Sequence, residues 1–139
     1  QAYEMVRSYI RYNLLDNLFG NHPPMQMDGT YGMTGGMSEM LVQSHAGQIE
    51  LLPALPSAWE NGYVKGIRAR GDITIDMAWK NGKVTKYQLT SATNKTPVTV
   101  IVNGKQTKVT PSPVAANDTD RDQKEKKPTK KGKKKTPMP

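Results

Sequence analysis

The sequence has 139 residues, a formal net charge of +8 and no cysteine. This length is enough for about one ordinary domain or for parts of two, and the lack of cysteine excludes disulfides and thiolate metal sites. No apolar run approaches the roughly 18 residues that a membrane span needs, and no signal peptide is recognisable. The sequence starts at Gln1, already inside a helical pattern, so we expect it to be an excerpt of a longer protein.

The positive charge is concentrated at the C-terminal end of the chain. Residues 123–139 contain eight Lys and one Glu, a net charge of +7, which leaves only +1 for residues 1–122. A nearly neutral body is not typical of a nucleic-acid-binding face, so nucleic acid is not an expected partner. Residues 113–139 also lack hydrophobic periodicity, and we predict that they form a disordered Lys-rich tail.

Two helices are predicted in the N-terminal third of the chain. In residues 1–18, apolar side chains recur at every fourth position, as Val6, Ile10, Leu14 and Leu18. Gly20 and the prolines at 23 and 24 end this helix, because proline lacks the amide hydrogen and clashes with the preceding turn. A second helix is predicted after Gly32, where residues 33, 37 and 41 are apolar.

From residue 48 onward the hydrophobic period changes to two, which predicts strands. Residues 73–79 alternate apolar and polar, and Asn81-Gly82 then predicts a type I′ hairpin with residues 83–90 as its second strand. The pattern recurs at 98–102, Asn103-Gly104 and 105–110, and shorter strands are predicted at 49–52 and 64–70. We therefore predict five or six antiparallel strands in a sheet or sandwich. Trp79 falls in the buried set and is predicted to be a core residue rather than a platform for a sugar.

The two helices are joined by a stiff connector, NHPPMQMDGTYG, at residues 21–32. Its prolines fix their own backbone angles and restrict the residue before them, so His22 and Asp28 should project from a rigid loop. From the residues alone, a hydrogen-bonded structural pair, or an Asx turn of Asp28 with Gly29, is the favoured interpretation. A catalytic pair and a metal site completed by His45 remain open, although no tight histidine spacing supports the metal site.

Three pieces of the chain resemble, in one collinear order, the C-terminal end of glycoside hydrolase family 95, the inverting α-L-fucosidases. They are NLLDNLFGNHPPMQMDGTYGMTGGMSEMLVQSH, IELLPALPSAW and GYVKGIRARGDITIDMAWKNGKV, beginning at residues 13, 49 and 62. The resemblance implies a mixed α and β chain, in which the end of an (α/α)6 helical barrel is followed by an antiparallel β-domain. Residues 1–46 would close the catalytic barrel, residues 47–112 would form the β-domain, and 113–139 would be the tail.

The same resemblance implies roles for two residues of the connector. Asp28 would be catalytic, helping to activate the attacking water, and His22 would contact the sugar. The substrate would be a fucosylated glycan or a related α-L-galactoside, and no cofactor or metal is expected. The general acid would come from the N-terminal remainder of the same polypeptide, so residues 1–139 alone should be inactive. Secretion, a periplasmic location or a cell-surface location would follow from the family.

Two features leave the function open at this point. The family pattern HPPFQIDGNFG is altered here, with Thr30 and Tyr31 after the aspartate, which bears on the preference between fucoside and galactoside. The alternative function is a non-catalytic interaction module whose basic tail binds polyanionic surfaces. Phosphate or other anionic groups would supply the attraction in that case.

Overall fold

A computed structural model of the chain describes residues 1–114. This part contains two α-helices, α1 (Ala2–Asn13) and α2 (Met27–Leu41), followed by a β-region. The predicted disordered tail lies, from residue 115 onward, outside the described residues. No helix within residues 1–114 combines the length and the apolar content needed to cross a membrane.

The first helix is shorter than the hydrophobic pattern predicts. It ends at Asn13 instead of residue 18, and Leu14 adopts an extended conformation with φ −112° and ψ 141°. Leu14 forms an antiparallel bridge with Gly20, and Leu18 has a positive φ of 65°. The chain therefore turns back on itself at the end of α1, and the last apolar position of the predicted helix belongs to that turn.

The second helix begins earlier than predicted. It includes Asp28, Gly29 and Gly32, so the stiff connector ends at Gln26 and not at residue 32. A carboxylate in the first turn interacts favourably with the positive end of the helix dipole, which offsets part of the cost of the glycines. The expectation that Asp28 projects from a loop is thus wrong, since Asp28 lies on the first turn of α2.

The remaining chain forms two four-stranded sheets. The strands are β1 (Val42–Gln43), β2 (Ile49–Leu51), β3 (Gly62–Ala69), β4 (Ile73–Lys80), β5 (Lys83–Ser91), β6 (Val98–Val102), β7 (Lys105–Val109) and β8 (Ser112–Pro113). The first sheet has the order β1-β2-β6-β7 and the second the order β3-β4-β5-β8. A short 3-10 helix, Ser57–Trp59, lies in the segment that crosses from one sheet to the other.

Both predicted hairpins are confirmed. Asn81 and Gly82 have φ of 51° and 71°, and Asn103 and Gly104 have φ of 51° and 76°, as a type I′ turn requires at both central positions. The prediction of purely antiparallel pairing is wrong in two places. Strand β2 pairs with β6 in parallel, and β5 pairs with β8 in parallel. Both parallel pairs join strands that are not consecutive, so no turn motif marks them in the sequence.

The hydrophobic core lies between the two sheets, as in a β-sandwich. The first sheet contributes Val42, Ile49, Leu51 and Val100, and the second contributes Ile73, Ile75, Met77, Trp79, Val84 and Leu89. In β4 every second residue is buried, which confirms the period of two predicted there. Trp79 is buried as predicted, and its indole Nε1 donates to the carbonyl oxygen of Trp59 at 2.7 Å.

Candidate functional site

The connector is fixed at the C-terminal end of α1 by Asn21. The backbone amide of Asn21 donates to the carbonyl oxygen of Asn13 at 3.0 Å, and its side-chain Nδ2 donates to the carbonyl oxygen of Tyr12 at 2.8 Å. Both acceptors belong to the last turn of the helix, whose carbonyls have no partner within the helix itself. His22 follows immediately, so its backbone is tied to the end of α1.

The start of α2 is held close to the same end of the first helix. A Cβ atom on Gly20 would lie 3.5 Å from the carbonyl oxygen of Gln26, which directly precedes α2. A Cβ atom on Gly29 would lie 2.7 Å from the phenolic oxygen of Tyr9. The aromatic side chain of α1 thus rests on the first turn of α2, beside Asp28, and glycine at position 29 leaves room for it.

His22 and Asp28 are brought to one region of the molecule, the junction between α1 and α2. Both side chains are exposed within the described part of the chain. The peptide between Pro23 and Pro24 is cis. An imidazole and a carboxylate that face open space can bind a ligand, and they can act on water once other groups enclose them.

Thr30 lies on the same first turn of α2 and has an unusual side chain. Its Oγ1 atom is buried yet finds no hydrogen-bond partner among residues 1–114. Buried hydroxyl groups nearly always have a partner. The Thr30 hydroxyl is therefore an exception among the buried polar groups of residues 1–114.

The third candidate of the sequence analysis, His45, lies elsewhere. It is exposed in the turn between β1 and β2, beyond the C-terminal end of α2. The rise of an α-helix places Asp28 about 20 Å from that end, so His45 does not join His22 and Asp28. Within residues 1–114, no group of three His, Asp or Glu side chains is arranged to hold a metal ion.

Comparison with known families decides what this junction belongs to. Residues 43–136 match the model described as "Glycoside hydrolase family 95, C-terminal domain", and residues 1–41 match "Glycosyl hydrolase family 95 catalytic domain". The chain belongs to glycoside hydrolase family 95. The two matches meet at residue 42, where α2 ends and β1 begins, so in this family 95 chain His22 and Asp28 lie on the catalytic-domain side.

Curated relatives of this family 95 chain are named as fucosidases. It is 44% identical over 79 residues, 56% of its length, to "Alpha-L-fucosidase 2" of Arabidopsis thaliana. It is 31% identical over 98 residues, 60% of its length, to "Probable alpha-fucosidase A" of Aspergillus niger, and 34% identical over 80 residues, 50% of its length, to the protein of that name from Aspergillus oryzae. The family 95 chain matches only 9%, 12% and 11% of the lengths of these proteins.

The junction of the family 95 chain is surrounded by exposed apolar side chains. Leu18 is 65% exposed and Phe19 is 44% exposed, and both lie in the turn that follows α1. The other exposed apolar residues of this set are Ile10, Leu15, Met25 and Tyr31. We call all six residues the junction surface. Large exposed apolar patches are characteristic of surfaces that another group of atoms covers.

Two residues that support the site in this family 95 chain were not assigned roles by the sequence analysis. Asn21 fixes the connector to α1, and the turn between Asn13 and Asn21 that makes this possible has no marker in the sequence. Tyr9 rests on Gly29, but this contact joins two helices and has no sequence signal. Local pattern therefore locates the connector, whereas its packing against α1 is visible only in the structure.

Proposed function

We propose that this chain closes the catalytic helical barrel of a family 95 glycosidase and supplies two of its active-site residues. By the native polypeptide we mean the full-length protein of which this chain is a part. It would hydrolyse α-L-fucosyl linkages, or related α-L-galactosyl linkages, with inversion. Asp28 would assist activation of the attacking water, and His22 would bind a hydroxyl group of the sugar. The observation that carries the proposal is the match of residues 1–41 to the family's catalytic domain, with both side chains inside it.

The substrate class is supported by the names of the relatives. Three curated proteins that match the chain are named as α-fucosidases, and two of the matches include more than half of its residues. The altered residues Thr30 and Tyr31 lie in the helix that contains Asp28, and Tyr31, three residues further on, shares a helix face with it. They are the reason to include the galactoside, which differs from the fucoside by one hydroxyl group on the exocyclic carbon C6.

We assign Asp28 to the attacking water, and not to the leaving group, because the family resemblance implies that role. Inverting glycosidases use one carboxylic acid to protonate the departing oxygen and a second group to activate water on the opposite face of the sugar. The two groups are separated by roughly 6.5–9.5 Å, which leaves room for that water. Glu39 lies three turns further along α2 and is exposed, about 16 Å from Asp28 by the helix rise, so it is too distant to be the acid.

The remaining walls of the site would come from the N-terminal remainder of the same polypeptide. That remainder would cover the junction surface, supply the acid and satisfy the buried Thr30 hydroxyl. It would also exclude water from the pocket, which strengthens the interaction of Asp28 with a developing positive charge. Residues 1–139 alone would then have no activity.

Replacement of Asp28 by Asn in the native polypeptide tests the catalytic role. Asn keeps the size of the side chain and removes its basicity, so we expect kcat for α-L-fucoside hydrolysis to fall by about 10²–10⁴, the usual contribution of a general base. Asp16→Asn, an exposed aspartate in the turn after α1, is the matched control and should keep normal kcat. Turnover by Asp28→Asn within a factor of two of the wild type would remove Asp28 from the mechanism.

Replacement of His22 by Ala tests the binding role separately. Loss of one hydrogen bond to a sugar hydroxyl costs about 1 kcal/mol or more, so KM should rise by roughly fivefold or more while kcat changes less. Both α-L-fucoside and α-L-galactoside should be assayed, since their ratio reports the preference of the pocket. Unchanged KM and kcat for both sugars would contradict the assignment of His22.

A further inference from the structure

A second surface with binding chemistry lies on the outer face of β3, β4 and β5, in the β-domain. The inner residues of β4 are buried between the sheets, so the alternate residues point away from the core. A cleft of about 270 Å³ opens on this outer face. Its outward-facing lining consists of Tyr63, Lys65, Asp76, Ala78, Lys86 and Gln88, which we call the outer cleft.

The aromatic ring of the outer cleft is uncovered. Tyr63 is 76% exposed, although it sits within a regular strand and not at a loop tip. Its cross-strand partner is Ala78, and the partner of Ala78 on the next strand is Lys86. Because Ala78 has only a methyl group, the ring of Tyr63 has no bulky neighbour directly across the strand pair.

A bulge in β3 shapes the floor of the outer cleft. The strand register shifts between Val64 and Ile67, so that Lys65 and Gly66 together lie opposite one position of β4. The amide of Gly66, where φ is +77°, donates to Oδ1 of Asp76 at 2.8 Å. This bond holds the bulge in place, and it engages one oxygen of the cleft's carboxylate.

The face that contains the outer cleft is basic. Lys65 and Lys86 line the cleft, and Lys80 and Lys83 lie directly opposite each other at the end of the same hairpin. None of these four lysines forms an ion pair with a carboxylate within residues 1–114. Like charges directly opposite on neighbouring strands repel each other, so the Lys80–Lys83 pair gives this end of the hairpin a local excess of positive charge.

We propose that the outer cleft binds an anionic saccharide chain, with Tyr63 stacked against the apolar face of one sugar ring. Lys65 and Lys86 would bind its acidic groups, either carboxylate or sulfate, and Gln88 would hydrogen-bond a ring hydroxyl. The cleft has room for about one sugar ring, Tyr63 is the aromatic residue of its outward-facing lining, and residues 1–122 carry a net charge of only +1. These features favour a saccharide over a nucleic acid, which needs an extended basic surface. The site is separate from the junction that contains Asp28 and His22, and it does not depend on the proposed hydrolytic activity.

Titration calorimetry of the native polypeptide tests the proposal with two ligands, oligogalacturonate and a sulfated galactan oligosaccharide. Comparison of their affinities shows whether the outer cleft prefers carboxylate or sulfate groups. We expect Tyr63→Ala to weaken binding of the preferred oligosaccharide at least tenfold and Lys86→Gln to weaken it three- to tenfold. Excess free L-fucose should not compete, because it would occupy the junction and not the outer cleft.

Matched controls exclude binding by other aromatic and basic groups of the chain. Tyr12→Ala removes a tyrosine on α1 that is 63% exposed, and Lys108→Gln removes an exposed lysine of β7 in the other sheet. Neither should change the affinity by more than twofold. A third variant, with the eight tail lysines between 124 and 135 changed to glutamine, should retain the response to Tyr63→Ala.

Three results would overturn the proposal. One is no measurable binding of either oligosaccharide, and another is binding that Tyr63→Ala leaves unchanged while the tail variant abolishes it. The third is tighter binding of a single-stranded oligonucleotide than of both oligosaccharides, with the same dependence on Tyr63. Circular dichroism of each variant would separate loss of binding from loss of fold.

Discussion

At the scale of single residues, Asp72 is the side chain that makes the most hydrogen bonds within residues 1–114. It sits at the turn between β3 and β4 with a positive φ of 59°. One carboxylate oxygen accepts from Nη2 of Arg68 at 2.9 Å, and the other accepts from Oγ1 of Thr93 at 2.7 Å and from the amide of Thr93 at 3.2 Å. Asp72 thereby connects this turn to the segment that follows β5.

These partners lower the pKa of Asp72 below its ordinary value of 3.8, chiefly through the hydroxyl of Thr93. A group whose pKa is lower in the folded state stabilises the fold when it is ionised, and this stabilisation is lost as the pH falls below 3.8 towards the folded-state pKa. We expect the unfolding midpoint of Asp72→Asn to depend less on pH than that of the wild type between about pH 5 and pH 2.

Urea unfolding at several pH values measures this dependence. Asn is the appropriate replacement because it tolerates the positive φ at position 72. Thr93→Val, which removes the main donor and leaves the carboxylate, should give an intermediate dependence on pH. If wild type and Asp72→Asn lost stability in parallel as the pH falls, the acid sensitivity would have to come from other groups.

The two tryptophans illustrate how far single residues can be predicted. The buried position of Trp79 follows from the alternation of β4 and is confirmed. Its hydrogen bond to Trp59 could not be predicted, because the acceptor lies 20 residues earlier in a segment without periodicity. Trp59 in turn meets the ring of Tyr3 edge-on, with centroids 6.0 Å apart, which places α1 against the β-domain.

At the scale of elements, the two Asn-Gly hairpins are alike in backbone and different in function. Asn81 and Asn103 both have a φ of 51°. Only Asn103 uses its side chain across the sandwich, where Oδ1 accepts from the amide of Val84 at 2.9 Å and Nδ2 donates to the carbonyl oxygen of Val84 at 3.0 Å. The β6–β7 turn of the first sheet is thus fastened to β5 of the second sheet.

Asn103→Gly should keep the hairpin and remove this connection. Glycine readily adopts the positive φ, but the partly buried peptide groups of Val84 would lose both partners, so we expect a loss of about 1–3 kcal/mol in the free energy of unfolding. Asn81→Gly is the matched control and should stay within about 0.5 kcal/mol of the wild type, since its side chain makes no such connection. Chemical unfolding of both variants gives the comparison, and equal losses would show that only the turn conformation matters.

The helices and strands of this chain can be predicted from the sequence where the interactions that form them involve neighbouring residues. The hairpins and the alternation of β4 depend on neighbouring residues and were predicted with nearly correct bounds. The end of α1 was not, because Leu14 pairs with Gly20 and Asn21 caps the helix from eight residues away. Strands β1 and β8, each of two residues, are too short to produce a periodic signal.

The candidate site was located by the same local signals, combined with the family resemblance. The connector is recognisable from the local sequence alone, by Pro23 and Pro24 and by the Asp28-Gly29 pair. The helical setting of Asp28 was missed because glycines at 29 and 32 argue against a helix. Contact between Tyr9 and Gly29 supports that first turn, and such support between helices has no local signature.

At the scale of the whole molecule, the junction surface and the outer cleft are expected to differ in the native polypeptide. Both expose aromatic side chains in the described chain, but Phe19 lies among other apolar groups and Tyr63 among charged ones. The first environment suits permanent packing and the second suits a soluble ligand. The proposed barrel would cover only the first.

Alanine substitution in the native polypeptide distinguishes these two surfaces. Phe19→Ala should lower the free energy of unfolding by about 3 kcal/mol or more, as for a core phenylalanine, because the proposed barrel would bury it. Tyr63→Ala should change it by no more than about 0.5 kcal/mol, as for a surface residue. Thermal unfolding without added saccharide is the measurement, and an equally small effect at both positions would mean that the junction surface stays open to solvent.

The parallel pairing of β2 with β6 also sets an order of events during synthesis. Ile49 pairs with Val100, so three strands of the other sheet are made between the two partners. As the chain leaves the ribosome, the β4–β5 hairpin can close early, whereas one edge of β2 stays unpaired until residues 98–102 emerge. An open strand edge is a template for pairing with another nascent chain. During the interval between these two moments the open edge of β2 is available to another chain, and a slower passage through residues 52–97 would lengthen that interval.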